Sequence, residues 1–238
     1  MVKIHPYPSL IPGILQRRYK RFLADVRLRD GALVTVFTPN SGSMKGCSEP
    51  GLKVMLSRAP EGSRKTRFNL EMVNSGGTWV GVNTLLANSL AAAFIDMGLA
   101  SGTALEGFRV TRREVAYGES RLDLEVSDGR TNGYVEVKNV TYREGDAALF
   151  PDAVTDRGAR HLDALVRARA SGLVACNIFA VQRSDCRLFS PAWAIDPAYS
   201  RTLLKAREAG VVILALHLHV TPGAVFFRGT LPLEAGGL

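Results

Sequence analysis

The chain changes character near residue 78, and this limits the fold more than any other feature of the sequence. Before it, short runs of alternating apolar and polar residues are broken by turn formers. Ala24–Arg29 alternates, Asp30 and Gly31 turn the chain, and Ala32–Phe37 follows, which is the pattern of a hairpin. Pro39–Met44 is a loop rich in turn formers, and Leu52–Leu56 and Thr66–Val73 are further strand candidates. About five short strands in the first 75 residues predict a small β-barrel of the OB type. Asn74–Thr78 reads as a boundary.

After the boundary, helices and strands alternate. Asn83 or Thr84 can cap a helix running to about Met97, which Gly98 ends. Three strand-like stretches follow, Arg109–Ala116, Arg121–Ser127 and Tyr134–Val140. Pro151 and Asp152 precede a helix through about Arg169, and Leu173–Val181 is an apolar strand. Tyr199–Ala209 is a helix, Val211–Val220 a buried strand and Ala224–Phe227 one more short strand. This order predicts a mixed sheet with helices on its faces. The expected fold is therefore α+β or α/β, with an OB-like barrel over residues 1–78 and a mixed-sheet domain over 79–238.

Charge divides the chain in the same place. Residues 1–75 hold 13 basic and 5 acidic side chains, whereas the remainder holds 17 of each. A small positive domain suits a polyanion, and phosphate backbones are the commonest one in a cytoplasm. The longest apolar runs, Leu90–Ile95 and Val211–Leu216, fall far short of the ~20 residues that span a bilayer, so no membrane helix is expected. No signal-peptide pattern opens the sequence. Cys47, Cys176 and Cys186 show no metal-type spacing, and three free thiols suit a cytoplasmic protein.

The residues that carry chemistry are Asp123, Glu136 and Lys138. Glu136 and Lys138 are two apart on a strand and share a face. Ser127–Gly133 turns the chain back from the strand that carries Asp123. In an antiparallel pair, Asp123 opposite Glu136 or Lys138 places all three on one face, and a one-residue slip destroys the site. Two carboxylates and a lysine suit Mg²⁺ or Mn²⁺, with Asp123 and Glu136 as metal ligands, and divalent-metal hydrolysis of a phosphodiester. Arg17, Arg18, Tyr19, Lys20, Arg21 and Phe22 interleave cations with two aromatics, and the first five are nucleic-acid-binding candidates. Asn40–Ser43 is a loop that could offer N–H groups to a phosphate. His217 and His219 are two apart on a strand with no third ligand nearby, and read as core or edge histidines. No Walker loop, dinucleotide fingerprint, serine-triad motif or zinc finger is present.

The arrangement resembles the PD-(D/E)xK nuclease superfamily. Longer stretches narrow the match: Ser120–Asp123, Tyr134–Thr141, Phe150–Thr155 and Arg157–Leu162, together with Leu10–Gly13, Arg18–Phe22 and Pro39–Gly46. They are similar to the sugar fermentation stimulation protein A family over nearly the whole chain. The resemblance implies an OB-like first domain, a nuclease-like second domain and DNA binding, single- or double-stranded. Ser41 stands where that family usually has threonine, which keeps the hydroxyl. It adds Lys45, Arg157 and His161 as nucleic-acid-binding candidates, and implies that the Val137 carbonyl also meets the metal. Many superfamily nucleases take a further carboxylate from the first helix. Here that helix offers only Asp96, near its end, so Glu114 is the better third carboxylate. The expected function is DNA binding with a Mg²⁺-dependent phosphodiesterase site. The rivals are a non-catalytic DNA-binding regulator of sugar-metabolism genes that keeps the nuclease fold, and a binder of single-stranded nucleic acid or RNA.

Overall fold

The computed structural model describes residues 1–60, 62 and 66–236. Strand β1 (Val2–Pro6) opens the chain, followed by β2 (Ile11–Tyr19), β3 (Leu23–Leu28), β4 (Leu33–Phe37), β5 (Lys53–Arg58), β6 (Phe68–Ser75) and β7 (Thr78–Gly81). The hydrogen-bonded order is β4-β3-β2-β5-β6-β7, and β4 also meets β6 at Phe37 and Asn69. That pairing closes β2–β6 into the expected five-stranded OB-like barrel and removes its edges. Leu15, Val26, Val36, Val54, Leu56 and Leu70 fill the interior, each stabilising the barrel by about 1.5–3 kcal/mol of apolar burial.

Asn74–Thr78 is not the boundary that its composition suggests. Ser75 pairs with Thr78, and Gly76 and Gly77 both take positive φ (58° and 86°). Two such glycines make the tight turn of a hairpin. The turn leads into β7, so the chain stays in the first sheet through Gly81 rather than leaving it at residue 78. β1 departs from the expected division in the other direction, because it pairs with the last strand of the second sheet.

The second region contains α1 (Leu85–Asp96), β8 (Arg109–Tyr117), β9 (Ser120–Ser127), β10 (Asn132–Val140), β11 (Tyr142–Glu144), β12 (Ala147–Phe150), α2 (Asp156–Ala170), β13 (Val174–Val181), β14 (Leu188–Pro191), α3 (Pro197–Glu208), β15 (Val212–Val220) and β16 (Ala224–Leu231). Seven strands form one mixed sheet in the order β1-β16-β15-β13-β10-β9-β8, and β11, β12 and β14 form a small one. β10, β13 and β15 run parallel, as their helical crossovers require. α1 packs on one face through Leu90, Phe94 and Ile95, while Leu162, Leu165, Tyr199 and Leu203 of α2 and α3 pack on the other.

Caps set the helix starts. Thr155 accepts from the Gly158 N–H, and Asp196 accepts from the Tyr199 N–H with Pro197 next to it, so α3 begins two residues earlier than its periodicity suggests. At α1 the Thr84 side chain makes no cap bond, and Asn83 accepts from the Leu85 N–H instead. The three cysteines are free and buried. Burial pushes the thiol pKa up to about 12 at Cys47 and about 11 at Cys186. No helix among the described residues is long and apolar enough to cross a membrane.

Candidate active site

The register of β9 against β10 decides whether the carboxylates meet. The pairing runs from Ser127–Asn132 to Leu124–Val135. One step further along the same register stands Asp123 beside Glu136, and there the two strands part. The Val137 N–H, released from the ladder, donates to Asp123 Oδ2 at 2.7 Å, and Asn88 of α1 donates to Oδ1 at 2.8 Å. Asp123 is thus held from both sides, with Glu136 as its like-charged neighbour. Burial first, and then Glu136, raise its pKa to about 6 despite these hydrogen bonds.

Glu136 is buried, and one of its oxygens carries every contact. Lys138 Nζ lies 2.5 Å from Oε1, and His161 Nδ1 of α2 bonds the same atom. Arg157 Nε donates to His161 Nε2 at 3.4 Å, which assigns the imidazole proton to Nδ1, facing Glu136. Burial pushes the Glu136 pKa up, but the His161 bond and the Lys138 charge outweigh it and hold it below its ordinary value. The second oxygen, Oε2, is buried with no hydrogen-bond partner among the described residues.

Glu114 falls opposite Asp123, between the Arg113–Leu124 and Val115–Leu122 pairs, with φ 53°. It is exposed at the rim of the cleft, and its nearest tie is a 3.5 Å contact from Asn88. Among the described residues, no three His, Cys, Asp or Glu side chains gather as a metal cluster, so Glu114 is not brought in as a third ligand. Asp96 points elsewhere and accepts from the Val110 N–H.

The expected nucleic-acid residues separate into two groups. Arg17 is exposed, pairs with Asp25 at 2.7 Å and lies 4.9 Å over the Tyr19 ring. The Tyr19 hydroxyl donates to the same buried Asp25. Lys20 and Arg21 form the exposed β2–β3 turn at φ 49° and 60°. These four residues present a basic, aromatic face. Arg18 does not join it, because alternation points it the other way. Its guanidinium donates to the carbonyls of Asn40, Gly42 and Ser43 at 2.8, 3.0 and 3.1 Å, and to that of Arg21 at 3.1 Å. Arg18→Ala should therefore lower the thermal stability of the barrel by about 1–3 kcal/mol, the scale of lost hydrogen bonds from a charged group. Arg17→Ala, on the exposed face, should lower it by less, and parallel thermal melts check the contrast.

Lys45 donates to the Tyr142 hydroxyl at 2.9 Å and so ties the barrel to the second domain. His161 is buried against Glu136 rather than exposed to a phosphate, because it shares the inward helix face with Leu162, Leu165 and Ala168. Arg157 does reach the cleft. The cleft has a volume of about 610 Å³ and is lined by Asp123, Glu136, Lys138, Glu114, Asn88 and Arg113, with a barrel loop at one side. Asn88 escaped sequence reasoning, although an amide inside the apolar Leu85–Ile95 stretch is a signal of a local partner.

Two family models match the chain. Residues 17–82 match the one described as the SfsA N-terminal OB domain, and residues 85–224 match the sugar fermentation stimulation protein RE domain. The sequence is 48% identical over 230 residues to a sugar fermentation stimulation protein homolog of Geotalea uraniireducens, covering 96% of this chain and 98% of the relative. It is 49% identical over 227 residues to the homolog of Pelobacter propionicus, covering 95% and 98%. The fold is similar to the structure of Pyrococcus furiosus SfsA in complex with Ca²⁺, with TM-score 0.91, 31% identity, and 98% and 100% of the two chains covered.

Proposed function

The chain belongs to the sugar fermentation stimulation protein family, and from that premise we propose that it is a DNA-binding protein whose second domain hydrolyses phosphodiesters with Mg²⁺ or Mn²⁺. The observation that carries this reading is Glu136 Oε2, a buried carboxylate oxygen with no hydrogen-bond partner among the described residues, next to Asp123. A buried acceptor left bare costs about 1–3 kcal/mol, and a cation relieves it. Two carboxylates fit Mg²⁺, which keeps several waters and takes substrate phosphate as a further ligand. The Ca²⁺ bound by the Pyrococcus furiosus relative is also a cation that takes oxygen ligands.

Asp123 and Glu136 would hold the ion, and when bound it supplies Lewis-acid stabilisation of the phosphate and a more acidic water. The remaining work belongs to the chain. Asn88 and the Val137 N–H fix the Asp123 carboxylate. His161 and Lys138 hold Glu136 by Oε1, which leaves Oε2 for the ion. Lys138, at the cleft, can orient water and donate to charge developing on the phosphate. Arg113 and Arg157 line the same cleft and can pair with flanking phosphate oxygens. The basic face of the barrel, Arg17, Tyr19, Lys20 and Arg21, carries most of the affinity.

The test is cleavage of single-stranded, double-stranded and branched DNA and of RNA, with Mg²⁺, Mn²⁺ or EDTA. Wild type should cut in metal only, and Asp123→Asn/Glu136→Gln should not cut. Binding of DNA without any cleavage would replace this reading with that of a regulator. Affinity should fall with salt at ~0.9 log units per log unit of salt for each duplex phosphate neutralised. Replacing Arg17, Lys20 and Arg21 with alanine should flatten that slope while the metal-dependent thermal shift persists. An unchanged slope would move the interface off the barrel.

A further inference from the structure

The loop Pro39–Met44 of the barrel crosses from one wall of the cleft to the other. On the α1 side, the Pro39 carbonyl accepts from Thr84 N at 3.1 Å and from Thr84 Oγ1 at 2.5 Å, and Asn40 Nδ2 donates to the Val82 carbonyl at 3.1 Å. On the opposite wall, Asp152 Oδ2 accepts from Ser43 Oγ at 3.1 Å and from the Met44 N–H at 3.0 Å. Arg18 grips three carbonyls of the same span. Gly42 lets Asp152 come this close, since a Cβ there would lie 2.6 Å from Asp152 Oδ1. The span is thus fastened at both ends.

Asn40, Ser41 and Gly42 of the span line the cleft, and Ser41 is exposed with its N–H and hydroxyl both unengaged among the described residues. Thr84 and Asn88 are four residues apart on one helix, about 6 Å along its axis, and Asn88 holds Asp123. The span and Asp123 are thus linked through the first turn of α1.

We propose that the cleft is closed at its barrel end and takes the terminus of a nucleic-acid strand, which abuts Ser41, so that hydrolysis is directed to ends. This deepens the phosphodiesterase reading above and rests on it. On this proposal a continuous strand lying across Asp123 and Glu136 meets the fastened span, whose Asn40, Ser41 and Gly42 line the same cleft. A strand end stops against it, with the free Ser41 N–H and hydroxyl facing the last phosphate or hydroxyl.

The experiment compares a closed circular single-stranded DNA with the same circle linearised, in Mn²⁺. Loss of the linear form with the circle intact is the expected result, and nicking of the circle at the rate of the linear form overturns the proposal. Asp152→Ala removes the acceptor of Ser43 Oγ and the Met44 N–H, and combined with Arg18→Ala, which removes the grip on the carbonyls, it unfastens the span and should begin to nick the circle. Should that variant fail to fold, Gly42→Ala, which presses on Asp152 directly, takes its place. A folded variant that still leaves the circle intact also overturns the proposal, because the span is then not the barrier.

If neither DNA is cut, a photoreactive base placed at the end or in the middle of a linear strand decides in Ca²⁺. Crosslinks to residues 40–42 from the terminal position support closure at the barrel end, and crosslinks from the middle overturn it. Terminal crosslinks without cleavage mean that the phosphodiesterase reading fails while the end-binding cleft survives. Absence of any DNA binding overturns both.

Discussion

Lys138→Ala is expected to lower metal-dependent cleavage by ~10²-fold or more, the scale for loss of one well-placed electrostatic donor, while DNA affinity stays close to wild type. Binding is separable because the exposed cations of Arg17, Lys20 and Arg21 lie on the barrel and Lys138 lies in the cleft. Lys138 serves two purposes there. Its Nζ holds Glu136 Oε1 at 2.5 Å, and its charge helps keep that buried carboxylate ionised. Removing it lifts the Glu136 pKa, so metal affinity should weaken as well. Titrating Mn²⁺ to saturation separates the two effects: a defect that persists at saturation belongs to the phosphate and water, and one that vanishes belongs to Glu136. Lys138→Arg should recover only part of the rate, since the planar guanidinium replaces a compact ammonium between Glu136 and His161. A fully active Lys138→Ala enzyme would remove the lysine from the chemistry and leave it a structural partner of Glu136.

The central pair of strands was legible because alternation and a hairpin register are local signals. A period of two puts Glu136 and Lys138 on one face, and the register that makes Asp123 meet Glu136 is the one the structure adopts. The barrel was legible for the same reason. β1 was not, because Val2–Pro6 pairs with Ala224–Phe227, more than two hundred residues away, and no local pattern encodes that. β11, with three residues, is too short to show a period, and β7 lay behind a Gly-Gly turn that resembles a linker. Two misread side chains carried signals that motif matching overrode. His161 falls at helical spacing with Leu162, Leu165 and Ala168, so its inward face was present in the pattern. Arg18 alternates with Arg17 and Tyr19, so its place on the other side of β2, under the Asn40–Ser43 loop, was present too.

Asp123→Asn should stabilise the metal-free protein at neutral pH, and the sign follows from its pKa. Burial and the Glu136 charge raise that value from 3.8 to about 6. The folded state therefore binds this proton more tightly than the unfolded chain does. The associated stability is complete below about pH 4, is lost as pH rises through about 6, and is absent above that. A shift of this size corresponds to at most about 3 kcal/mol, reduced by water in the cleft that screens the carboxylate. Asparagine carries no charge to bury, and Asn88 can turn its amide to meet it. In EDTA the variant and wild type should melt together near pH 4, and the variant should melt several degrees higher at pH 7.5, at about 2–4 °C per kcal/mol. Adding Mn²⁺ should reverse the order, because wild type gains a ligand that binds only its folded state. The gain should itself shrink from pH 7 to pH 5, as protons compete for Asp123. Calorimetry at several pH values, with and without Mn²⁺, measures each part. A variant less stable than wild type at pH 7.5 in EDTA would show that Asp123 is held for packing and hydrogen bonding, with no repulsion for a metal to relieve.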